Sequence, residues 1–67
     1  MTITLNGDAR DVPVGTTVAE LVRLLNLTPE KVAVERNRRL VRREGYDLPL
    51  ADGDQVEVVT FVGGGAG

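Results

Sequence analysis

The stretch VTFVGGGAG, residues 59–67, holds the residues whose type and spacing point most directly to a chemistry. A glycine run finishes a strand poorly, because it has nothing to pack and loses the most backbone entropy on ordering. Two readings follow: an inert, flexible end, or a working one. Stripped of side chains, such a segment can enter a channel too narrow for bulkier sequence. It would end in an α-carboxylate on a thin arm. A carboxylate is a poor electrophile. Adenylated with ATP by a partner enzyme, it becomes a mixed anhydride that a sulfur or nitrogen nucleophile can attack. The segment would then be a substrate handle for another protein's active site.

The rest of the composition argues against a self-contained enzyme. The chain has no Cys and no His, which removes thiol chemistry and the commonest general base and metal ligand. Its ten carboxylates fall in turns, caps and outward strand positions. DGD at residues 52–54 lacks the further ligands of a calcium loop and reads as a turn. The three glycines at 63–65 lack the Lys and Ser/Thr of a phosphate loop. A net charge of −2 argues against nucleic acid as a partner. No apolar run is long enough to span a membrane, and residues 1–15 carry no signal-peptide pattern. The expected setting is cytoplasmic, with no membrane partner.

Two surface features remain. Residues 36–43, RNRRLVRR, hold five Arg in eight positions. They read either as a solvated turn and edge, where charge blocks unwanted strand pairing, or as a docking patch for an acidic partner. No aromatic is interleaved to stack bases. Val59 and Phe61 lie in line on the outward face of the last strand, beside Glu57. They form a docking patch unless the 42–51 loop covers them.

The elements that must position these residues are legible from pattern. Residues 2–6 alternate, with Ile3 and Leu5 inward. Residues 6–8, NGD, are a hairpin signal, and residues 10–14 would return as an edge strand because Pro13 has no N–H. TVAE, residues 17–20, fits a capping box, and Val18, Leu21, Val22 and Leu25 form a helical stripe. Asn26 would cap its end, and Pro29 prevents continuation. Strands are expected over 32–37, at 40–41 and over 55–62, with Val56, Val58 and Thr60 on one face. Tyr46, Leu48 and Leu50 would anchor the intervening loop. Hairpin, helix and returning strands give an α+β fold: one sheet, one face covered by one helix, the other open. With 67 residues there is room for a single domain of marginal stability.

The sequence resembles the ThiS-type sulfur carriers of thiamine biosynthesis, small ubiquitin-like β-grasp proteins. The likeness rests on LNG at 5–7, TVAELV at 17–22, VAVERN at 32–37, LVRREGY at 40–46 and LADGDQVEVVTFVGGG at 50–65. It implies a mixed β-grasp sheet over residues 1–62 and a flexible glycine-rich tail over 63–67. It implies that the chain is no enzyme and binds no cofactor, but is a co-substrate. A ThiF-type adenylyltransferase would use ATP and Mg to adenylate the terminal carboxylate. Sulfur from a persulfide donor protein would replace AMP to give a thiocarboxylate. A ThiG-type thiazole synthase would take that sulfur. Gly64 and Gly65 would form the reactive end, and Val59, Phe61, Val62 and Gly63 would dock the partners. The chain departs from the family in continuing with Ala66 and Gly67. Either these two residues are removed to free Gly65, or Gly67 is itself the acceptor, or the two residues are an added end or mark an inactive precursor. The alternatives are a molybdopterin-type or other carrier of the same fold, and a non-covalent binding module using residues 36–43. Molybdopterin-type carriers tend to be longer and often place prolines before the two glycines.

Overall fold

Asn6 and Gly7 both take positive φ, 50° and 90°, the handedness that a two-residue hairpin turn needs. In the computed structural model, which describes residues 1–61, this turn joins β1 (Thr2–Leu5) to β2 (Asp8–Asp11). Alternation places the second strand at 10–14; it forms earlier and stops sooner. So tight a turn lets Asp8 pair with Leu5 at once, and Pro13 cannot donate to a ladder. Val14, beyond it, is 85% exposed.

The helix α1 (Val18–Leu24) starts as its composition dictates. Thr17 accepts from the Glu20 N–H while the Glu20 carboxylate accepts from the Thr17 N–H, closing both halves of the capping box. At the other end Asn26 adopts φ 61°. The Asn26 N–H donates to Arg23 and the Leu27 N–H to Val22, which satisfies the last helical carbonyls. Val18, Ala19, Leu21 and Val22 are buried, and Leu25 is half-buried against the core. A short 3-10 turn, Pro29–Lys31, leads into the next strand.

β3 (Val32–Arg36), β4 (Arg39–Leu40) and β5 (Gln55–Thr60) complete one five-stranded sheet in the order β2-β1-β5-β3-β4. β1 and β5 run parallel and every other neighbouring pair is antiparallel. The short strand expected at 40–41 is displaced by one residue. Asn37 and Arg38 both take positive φ, so pairing starts at Arg36 with Arg39. Val41 then packs against the core.

Alternation puts Ile3, Leu5, Val34, Val56 and Val58 on the sheet's inner face, where they bury Val18, Leu21 and Val22 of the helix. Of the three expected loop anchors, Tyr46 and Leu50 are buried but Leu48 is 57% exposed. Residues 43–45 wind as a 3-10 helix, and the Leu48 N–H closes a turn onto Gly45. A period of two does not hold through such turns, so Leu48 swings outward.

Candidate functional site

β5 lies at the centre of the sheet and leads, by sequence, into the glycine run. Its register against β3 sets its faces. Val34 pairs with Val58 on the helix side, while Ala33 pairs with Val59 and Glu35 with Glu57 on the opposite side. Val59 is 59% exposed and Phe61 52%. Leu40, opposite Glu35 on β4, adds a third exposed apolar side chain to this face. The 42–51 loop leaves the patch open. It lies against the helix instead, with the Ala19 N–H donating to Tyr46 and the Leu50 N–H to Thr16. Two of the four expected docking residues, Val59 and Phe61, therefore share an open face. Val62 and Gly63, the reactive candidates Gly64, Gly65 and Gly67, and the domain boundary after residue 62 lie outside the described residues.

Three attachments fix β5. At its start, Asp54 is only 7% exposed. It accepts from the Ala51 N–H at 2.8 Å and from Asn37 Nδ2 at 3.0 Å, and pairs with Arg36 Nε at 2.7 Å. Burial alone would raise the Asp54 carboxyl. The Ala51 and Asn37 hydrogen bonds and the Arg36 guanidinium outweigh it and hold the group below the ordinary carboxylate range. Near its end, the Phe61 N–H donates to the Lys31 carbonyl at 3.0 Å. On the other edge, Asn6 Oδ1 accepts from the Val58 N–H at 2.9 Å. Neither Asp54 nor Asn6 stands out in the sequence as more than a turn residue. Their partners lie 17 and 52 positions away, beyond any local signal.

The arginine run divides. Arg36 holds Asp54. Arg43 donates to the carbonyls of Pro29 (2.9 Å) and Glu30 (3.1 Å), and its guanidinium lies 5.3 Å from the centroid of the Tyr46 ring. Arg38, Arg39, Arg42 and Arg43 are all exposed, but Arg36 and Arg43 are tied to the fold by their partners and the other three are not engaged in any side-chain hydrogen bond or ion pair among the described residues. Among the described residues, no three His, Cys, Asp or Glu side chains are placed to hold a metal.

One helix across one face of a mixed five-stranded sheet, with a central last strand whose outer face stays open, is the β-grasp class of ubiquitin-like proteins. Within that class this chain belongs to the ThiS family, whose model matches residues 3–65. It is 40% identical over 50 residues to the sulfur carrier protein ThiS of Bacillus subtilis, covering 73% of this chain and 76% of that one. It resembles the crystal structure of the thiamine biosynthesis protein ThiS from Geobacter metallireducens with a TM-score of 0.75 at 35% identity. That match covers 91% of this chain and 94% of the other. It is also 48% identical over 66 residues, 97% of its length, to a thiazole synthase of Magnetococcus marinus. The chain spans only 20% of that relative's length, and 21% of a second thiazole synthase, from Paramagnetospirillum magneticum.

Proposed function

We propose that this chain is a sulfur carrier of thiamine biosynthesis, loaded at the carboxyl group of Gly65 and unloaded into a thiazole ring. The observation that carries this reading is the reach of the family match, which continues through the glycine run and stops at residue 65. The relatives named sulfur carrier protein and thiazole synthase support it. The latter favour the thiazole ring as acceptor over a molybdopterin.

The chemistry follows from the inertness of a carboxylate. A ThiF-type adenylyltransferase holds ATP and magnesium. The Gly65 carboxylate attacks the α-phosphorus and pyrophosphate leaves. The terminal sulfur of a donor-protein persulfide, drawn ultimately from cysteine, attacks the acyl carbon and AMP leaves. A second donor thiol then cleaves the sulfur–sulfur bond, leaving a thiocarboxylate on Gly65 and a disulfide on the donor. A ThiG-type thiazole synthase takes the sulfur in exchange for oxygen. Because ATP feeds the cycle, we set it in the cytoplasm.

In this cycle Gly63 and Gly64 supply a thread narrow enough for both active sites. Val59, Phe61 and Val62 dock the partners, a role supported by the open, apolar outer face at Val59 and Phe61. The peptide bond between Gly65 and Ala66 blocks the carboxyl group, so loading at Gly65 requires cleavage of that bond. The test is truncation. A chain stopped at Gly63 keeps its fold by circular dichroism and loses all adenylyltransferase-dependent AMP formation. Undiminished AMP formation by that truncated chain contradicts the proposal.

A further inference from the structure

β1 stops pairing with β5 before β5 ends. The positive φ of Asn6 and Gly7 turns the chain away toward β2, and the last regular bonds from this side are Thr4 N–H to Asp54 and Asn6 N–H to Val56. In β5 the even-numbered residues point their peptide groups toward β1 and the odd-numbered ones toward β3, as the Phe61 bond to Lys31 and the Asn37 bond to Gln55 require. The next peptide groups facing β1 belong to Val58, a buried residue. Among the described residues, no backbone group meets them. The Asn6 carboxamide does so instead: its Oδ1 accepts from the Val58 N–H at 2.9 Å, and its Nδ2 reaches the Val58 carbonyl at 3.4 Å. One side chain thus extends β1 by one rung.

We infer that Asn6 is a positioning residue for sulfur loading: its carboxamide holds β5 from the β1 side up to Val58, so that Val59 and Phe61 are presented from a fixed strand. This rests on the carrier reading and adds to it a residue on the far edge of the sheet. Without the rung, β5 is held from both sides only to Val56 and from β3 alone beyond it. A partner docking on Val59 and Phe61 must then order that end itself, and the cost appears as weaker binding. A residue that needs positive φ for its turn would tolerate glycine as well. Asparagine provides the turn and the rung together.

Two variants separate these roles. Asn6→Gly keeps the turn and deletes the carboxamide. Asn6→Asp keeps an oxygen to accept the Val58 N–H. The probe is a ThiF-type adenylyltransferase, assayed by ATP–pyrophosphate exchange with the chain ending at Gly65 as substrate, at a temperature where amide exchange shows every variant folded. Asn6→Gly is expected to lose protection at the Val58 amide and to raise KM for the chain roughly tenfold, the value of about one hydrogen bond, with kcat unchanged. Asn6→Asp is expected to recover Val58 N–H protection and part of the KM, but not all of it, because its second oxygen cannot donate to the Val58 carbonyl as Nδ2 does. A merely structural role lowers thermal stability and leaves KM of the folded protein alone. Unchanged KM in Asn6→Gly despite lost Val58 protection overturns the inference, as does an Asp variant no better than Gly. Failure of the unsubstituted chain to support exchange overturns the carrier reading itself, and the role assigned to Asn6 falls with it.

Discussion

Arg36 Nε lies 2.7 Å from Asp54 Oδ2, joining the end of β3 to the residue just before β5. Asn37 completes the joint, donating to Asp54 and accepting from the Gln55 N–H. The carboxylate is held below its ordinary pKa. A depressed folded-state pKa gives stability that is complete above the unfolded value and is lost as pH falls through the folded one. Urea unfolding should therefore show stability falling as pH drops below about 4. Asp54→Asn should flatten that acid limb, and Asp54→Ala should cost about 2–4 kcal/mol at neutral pH by leaving the Arg36 and Asn37 groups unpaired. An acid limb unchanged in Asp54→Asn would show that this joint does not set the acid stability.

The capping box makes a second, local prediction. Thr17→Ala removes the acceptor for the Glu20 N–H and should cost about 1 kcal/mol, a drop of roughly 4–8 °C in Tm for a domain of this size. Glu20→Gln should cost less, because its side-chain oxygen can still accept from the Thr17 N–H. Thermal melts of the two single variants and the double variant should show coupling between them.

The arginine run should behave unequally. Arg43→Ala loses two carbonyl contacts and the Tyr46 ring and should destabilise by about 1–3 kcal/mol. Arg43→Lys should recover little, since an ammonium cannot reproduce the planar fork across two carbonyls. Replacing Arg38, Arg39 and Arg42 together by Gln should change stability by about 0.5 kcal/mol or less and leave AMP formation intact. Loss of AMP formation in that triple variant, folded by circular dichroism, would favour a basic docking patch instead.

The outer face of β5 gives the clearest separation of stability from function. Val59 and Phe61 are more than half exposed, so Val59→Ser and Phe61→Ser should leave unfolding midpoints near the parent's, within about 0.5 kcal/mol. Each should lower kcat/KM for adenylation roughly tenfold or more if these side chains anchor the partner. Val58→Ser, one residue away but buried, should do the reverse and cost stability first.

Much of this fold is legible in the chain because its signals are local. The NG turn, the Thr17 and Glu20 box and the Val56, Val58 alternation each act within a few residues. The misplacements are local as well. The tight turns at Asn6 and Asn37 start pairing at the first residue available, which shifts β2 and β4 from where composition puts them. The 3-10 turns break the period that would bury Leu48. What pattern cannot give is the long-range wiring: DGD reads as a surface turn, yet its last carboxylate is buried against an arginine 18 positions earlier. The candidate site divides in the same way. The glycine run and the outward Val59 and Phe61 can be read from sequence, whereas the Asn6 rung exists only once β1 and β5 are side by side.

One main-chain carboxyl group, that of Gly65, should exchange oxygen for sulfur. The most direct measurement is the intact mass of two chains, one ending at Gly65 and one retaining Ala66 and Gly67. Each is incubated with a ThiF-type adenylyltransferase, ATP, magnesium and a persulfide donor. The chain ending at Gly65 should gain the mass difference between sulfur and oxygen, localised to its last residue, while the longer chain should not. Sulfur exchange at Gly67 of the longer chain, or none in either, would contradict loading at Gly65.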